Sequence, residues 1–85
     1  MTRVEIYTKT FCPYCWRAKS LLESKGVHFK EISVDFGGEA KVTMVQRAGG
    51  RTTVPQIFIG EVHVGGCDDL FALERAGKLD SLIAN

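Results

Sequence analysis

The chain has 85 residues, with an apolar fraction of 45% and a charged fraction of 25%, the make-up of an ordinary globular protein. That length supports one domain, residues 1–85, around one small core. The formal net charge of +1 gives no footing for nucleic acid or an anionic membrane, and no apolar run approaches the roughly 20 residues that cross a bilayer.

The stretch RVEIY alternates, with Val4 and Ile6 on one face and Arg3, Glu5 and Tyr7 on the other, and is expected to be a strand. No apolar h-region of a signal peptide precedes it. A helix is expected from Pro13 to Lys25. Pro13 suits its first turn, Cys15, Ala18, Leu21 and Leu22 recur at helical spacing, and Gly26 is a natural stop. VHFKEISV reads as a second strand whose alternation slips between Phe29 and Ile32. Gly37 and Gly38 lead into a second helix, about Glu39 to Ala48, with Ala40, Met44, Val45 and Ala48 on one face. GGRTTVP (Gly49 to Pro55) is a loop, and QIFIGEVHV a hairpin turning at Gly60–Glu61. Asp68 and Asp69 read as the N-terminal cap of a third helix, which carries Leu70, Leu73 and Ala76 and ends at Gly77. KLDSLIAN adds one last turn.

The order β-α-β-α-β-β-α implies two parallel strands joined by a right-handed crossover and an antiparallel hairpin. The expected fold class is α/β, a four-stranded mixed sheet with helices on both faces.

Two of the three cysteines, Cys12 and Cys15, stand two residues apart. The odd count argues against a secreted disulfide scaffold and favours the cytoplasm, where a close pair is more often catalytic or metal-binding. Cys12 falls where the first strand gives way to the first helix. Unpaired amides and the helix dipole there stabilise a thiolate, the nucleophilic form, and Lys9 and Arg17 add positive charge. Cys15 lies one turn deeper, about 5–6 Å away at Cβ, near enough for a disulfide after small adjustments. This pattern makes an attacking sulfur and a resolving one. A purely structural disulfide of this span would constrain almost no chain. A zinc half-site needs two further ligands, for which Cys67, His28 and His63 are the cysteine and histidine candidates, none at zinc spacing. His63, between Val62 and Val64, is expected to point away from the valine face. In a β-α-β context the pair reads as redox-active.

CPYC (Cys12, Pro13, Tyr14, Cys15) resembles the active-site signature of dithiol glutaredoxins. TVP (Thr53 to Pro55) is similar to that family's cis-proline loop, and GGCDD (Gly65 to Asp69) to its glutathione-binding turn. The likeness runs nearly end to end. It implies a thioredoxin-like fold and a glutathione-dependent thiol–disulfide oxidoreductase. Such an enzyme reduces protein disulfides and glutathione mixed disulfides and serves reductive enzymes such as ribonucleotide reductase. Cys12 and Cys15 are then catalytic. The backbone of Val54, beside Thr53 and Pro55, pairs with the cysteine of glutathione; a residue before proline favours that extended form. The γ-glutamyl carboxylate docks at Gly66, Cys67 and Asp68, on amides at a helix N-terminus, with Asp68 or Asp69 receiving its ammonium. Tyr14 forms a wall. Lys9 and Lys41 are matched to the glycine carboxylate, with Arg47 and Arg51 as rivals, because AGGRTTVP holds one glycine more than many relatives. Glutathione is a co-substrate, with no tightly bound cofactor and no metal, and a monomer is expected. Cys67 reads as a small tolerated residue and Trp16 as partly exposed. Two alternatives are a thioredoxin-like protein fed by a reductase and a dimer holding an iron–sulfur cluster through Cys12 and external glutathione. Members of the second kind usually lack Pro13 or Tyr14.

Overall fold

The computed structural model describes residues 2–84. Strand β1 (Val4–Thr8) is followed by α1 (Pro13–Ser24), β2 (Phe29–Ser33), α2 (Gly38–Arg47), β3 (Gln56–Ile59), β4 (Val62–Gly65), α3 (Cys67–Arg75) and α4 (Leu79–Ala84). The sheet order is β2-β1-β3-β4. β1 pairs parallel with β2 and antiparallel with β3, and β3 pairs antiparallel with β4. This is the mixed α/β arrangement expected from the element order.

Strand alternation sends side chains into two separate cores. On one face Val4, Ile6, Ile57 and Ile59 meet Ala18 and Leu22 of α1, Leu70 of α3, and Leu79 and Ile83 of α4. On the other, Tyr7 and Phe58 pack with Val34, Met44 and Ala48, so α2 covers this face. Tyr7 and Phe58 meet edge to face with centroids 5.8 Å apart.

Three sequence-based boundaries shift for local reasons. β2 is shorter than the stretch from Val27 to Val34, being an edge strand paired on one side. The final segment is a helix proper, because Leu79 and Ile83 bury one face of it. α3 begins at Cys67, so Asp68 and Asp69 lie in its first turn and not at the cap position, although Asp69 still supplies a capping bond. The cap position is Gly66, and the Asp69 carboxylate, three residues on, reaches back to accept its N–H at 2.9 Å. At the hairpin, Gly60 has φ +58°, and a Cβ there would stand 2.8 Å from Thr2 Cγ2.

Candidate active site

Cys12 caps α1. Its backbone is extended (φ −139°, ψ 98°), and its Sγ accepts the N–H of Cys15 at 3.1 Å. The sulfur does what a serine or aspartate oxygen does at other helix starts. Its carbonyl accepts the N–H of Trp16 at 3.1 Å, and Pro13, with no N–H, fills the first helical position. Cys12 is 8% exposed and Cys15 fully buried beneath it. Burial, and after it the hydrogen bond with Cys12, push the Cys15 thiol up to about 12. Cys15 is therefore a neutral thiol at neutral pH. One sulfur lies at a positive helix end and the other is protonated below it, so the two thiols are chemically unlike.

Both flanks of Cys12 are held. Asp35, just after β2, accepts the Thr10 N–H at 2.8 Å, the Thr10 hydroxyl at 2.5 Å and the Ser33 hydroxyl at 2.9 Å. These bonds, the Thr10 hydroxyl first, hold the Asp35 carboxyl below its usual range. They tie the turn before Cys12 to the sheet edge. On the other side the Cys12 Sγ lies 4.0 Å from the Val54 carbonyl oxygen, and the Val54–Pro55 bond is cis.

A groove of about 300 Å³ is walled by Tyr14, by Thr53, Val54 and Pro55, and by Gly66, Cys67, Asp68, Asp69 and Arg51. The head of α3 forms part of this wall, and the first amides of a helix have no partner within the helix. Arg51 Nη1 lies 3.3 Å from Asp69 Oδ2. The Gly66 amide, and then Arg51, hold the Asp69 carboxyl below its ordinary value. This corner needs a glycine: Gly65 has φ +115°, and a Cβ there would run into the Asp69 carboxylate and stand 3.0 Å from Arg51 Nη1. Cys67 is 5% exposed, and burial raises its thiol, so it is a poor nucleophile.

Of the residues singled out in the sequence, Tyr14, Thr53, Val54, Pro55, Gly66, Cys67, Asp68 and Asp69 share this groove. Lys9 and Lys41 do not line it. Lys9 borders a polar hollow with Thr10, Lys19, Glu31 and Asp35. Lys41 lies on α2 beside Val42 and Val45. Arg47 is engaged elsewhere: it bonds Glu5 at 2.9 Å and the Tyr7 hydroxyl at 3.1 Å, and stands 4.0 Å over the Phe58 ring. Arg51 is the cation the fold brings to the groove. One residue passed over in the sequence is Gln56, which is fully buried and bonded to Thr53. Its signal was a polar residue opening an apolar strand directly after Pro55. Among the described residues no three His, Cys, Asp or Glu side chains gather as a metal site.

The glutaredoxin family model matches residues 4–64. A glutaredoxin of Pseudomonas aeruginosa is 61% identical over 84 residues, covering 99% of each chain. The solution structure of glutaredoxin from Brucella melitensis superposes with a TM-score of 0.84 at 59% identity, covering 98% of this chain and 89% of that one. The crystal structure of a buckwheat glutaredoxin–glutathione complex does so with a TM-score of 0.86 at 32% identity, covering 98% of this chain and 77% of that one. The sheet and its helices are thus the thioredoxin-like fold. With a dithiol at a helix start, a cis-proline wall facing it and these relatives over nearly its whole length, the chain belongs to the glutaredoxin family, enzymes of thiol–disulfide exchange.

Proposed function

We propose that the protein reduces protein disulfides and glutathione mixed disulfides with glutathione as its electron donor. The observation that carries this reading is the groove beside Cys12, with backbone at one wall and free helix amides at the other. An extended tripeptide fits that pattern. Its cysteine backbone pairs with Val54, and its γ-glutamyl carboxylate meets the amides of Cys67 and Asp68. Its ammonium lies near Asp68 and Asp69, and Tyr14 walls it. Arg51 faces one of the tripeptide's two carboxylates, in preference to Lys9, Lys41 or Arg47.

With a glutathionylated protein, the Cys12 thiolate attacks the glutathione sulfur. The Cys12–glutathione disulfide forms, and the protein leaves as a thiolate that takes up a proton. A second glutathione thiolate then attacks the bound glutathione sulfur, releasing oxidised glutathione and restoring Cys12. With a protein disulfide, Cys12 attacks one target sulfur and the other leaves as a thiol. Cys15 gives up its proton and attacks the Cys12 sulfur, freeing the second target thiol. Two glutathione molecules reduce the resulting Cys12–Cys15 disulfide. Targets include reductive enzymes of the ribonucleotide reductase kind. We place the protein in the cytoplasm as a monomer; no helix among the described residues is long and apolar enough to cross a membrane.

The test is an NADPH-coupled assay run in parallel with glutathione plus glutathione reductase and with thioredoxin reductase. Turnover is expected with the first system. Cys12→Ser abolishes it on every substrate, whereas Cys15→Ser keeps deglutathionylation and loses most protein-disulfide reduction. Turnover supported by thioredoxin reductase alone overturns the reading.

A further inference from the structure

Gln56 follows Pro55 and opens β3, and its side chain is fully buried. Its Nε2 donates to the Thr53 carbonyl at 3.0 Å and lies 3.2 Å from the Thr53 hydroxyl. A carbonyl only accepts, so this fixes which end of the amide faces Thr53. The Oε1 end then points to His63 Nε2 at 2.7 Å. Because Oε1 also only accepts, His63 carries its proton on Nε2. The His63 ring is held in turn by stacking on Phe58, with centroids 4.8 Å apart and planes 21° from parallel. Arg47 covers the same Phe58. A continuous chain of contacts thus runs from Thr53 through Gln56 and His63 to the α2-side core. Neither Gln56 nor His63 lines the groove. Yet Thr53 and Val54 do line it, and the Val54 carbonyl stands 4.0 Å from the attacking sulfur.

We infer that Gln56 and His63 are positioning residues: together they set where the Thr53–Val54 wall stands relative to Cys12, and so how tightly the groove holds a glutathione-bearing substrate. A buried polar pair left without a partner shifts its neighbours to recover a hydrogen bond, and here the neighbour is the wall itself. The inference rests on the glutathione reading of the groove.

The experiment compares His63→Phe, His63→Gln, Gln56→Met and the Gln56→Met/His63→Phe double variant on a glutathionylated peptide. His63→Phe keeps an aromatic ring against Phe58 and removes the donor to Gln56. Its KM is expected to rise roughly three- to tenfold, the equivalent of one ordinary hydrogen bond, with kcat within about twofold. Alkylation of Cys12 by iodoacetamide should keep its rate. His63→Gln, which restores an N–H donor on the strand, should recover most of the KM. Gln56→Met, which also removes the bonds to Thr53, should raise KM at least as much as His63→Phe, and the double variant should be no worse than Gln56→Met. Circular dichroism and urea melting check folding; if Gln56→Met does not fold, the two His63 variants still decide. A wild-type KM in both His63 variants overturns the inference, as do changes confined to the urea midpoint. If the wild-type enzyme does not saturate with the glutathionylated peptide, the glutathione reading fails first, and the inference with it.

Discussion

Replacing Asp69 with alanine separates a helix cap from a charge. The Asp69 carboxylate accepts the Gly66 N–H at 2.9 Å and faces Arg51 at 3.3 Å. Losing a side-chain cap costs about 1 kcal/mol, within a range of roughly 0.5–2. The Arg51 pair adds little, since both side chains are about half exposed and solvent screens them; a few tenths of a kcal/mol is a fair estimate. The sum, about 1–1.5 kcal/mol, lowers the urea midpoint by roughly 1 M if m is near 1 kcal/mol/M. For a chain of this size it lowers the melting temperature by about 5–10 °C. Asp69→Asn keeps an acceptor oxygen for Gly66 and should lose only the smaller, charge-dependent part. The pH dependence has a definite sign. The folded state holds the Asp69 carboxyl below its unfolded value, so its contribution is present above about pH 4 and fades as pH falls through the folded value. In strong acid wild type should therefore approach Asp69→Asn, because the protonated carboxyl still offers Gly66 an acceptor oxygen, and its margin over Asp69→Ala should be widest near neutrality. The assay is urea unfolding followed by far-UV circular dichroism from acid to neutral pH. An Asp69→Ala midpoint equal to wild type at neutral pH would refute the assignment of this carboxylate as the cap of α3.

Three further outcomes are expected. Burial, the largest cause of the raised Cys15 thiol, persists when Cys12 is held in a mixed disulfide, so Cys15 stays protonated at neutral pH and resolution should speed up about tenfold per pH unit between roughly pH 6 and 8. Rapid quench of a preformed mixed disulfide measures this, and a flat profile contradicts a buried protonated Cys15. Arg51→Ala should raise KM for glutathionylated peptide several-fold and Lys41→Ala should leave it within about twofold, because the groove contains the first and not the second; steady-state kinetics decides, and the reverse order returns the contact to Lys41. Arg47→Ala should cost stability rather than substrate affinity, about 2 kcal/mol, because it strands the largely buried Glu5 carboxylate and uncovers Phe58; an unchanged urea midpoint with a raised KM would place Arg47 in the groove instead.

Much of this molecule was readable in short stretches of chain. Strand alternation in RVEIY, a proline-started helix after Cys12 and a glycine-led hairpin each follow from local geometry, and their order leaves few ways to build a sheet. The cap of α3 was misplaced because a cap is defined by a hydrogen bond, not by residue type. Gly66 occupies the cap position and Asp69 bonds it from three residues on. Among the four cations weighed for glutathione, the resemblance put Lys9 and Lys41 ahead of Arg47 and Arg51, whereas the groove is lined by Arg51. Lys9, Lys41, Arg47 and Arg51 differ in which distant elements pack beside them, and that is a matter of long-range contacts. β1 carries Glu5 and Tyr7 to meet Arg47, and the end of β4 with the start of α3 brings Gly65 and Asp69 to Arg51.

Spacing alone determined that two sulfurs share one helix start, because residues three apart lie on the same face one turn from each other. With no further cysteine or histidine at zinc spacing and a β-α-β context around it, that pair pointed to redox chemistry. Only tertiary structure decided which sulfur stays protonated, which cation enters the groove and what steadies the proline loop. Each of these depends on desolvation and on partners many residues away: the core that closes over Cys15, the strand that presents His63 to Gln56, and the aspartate that turns Arg51 inward.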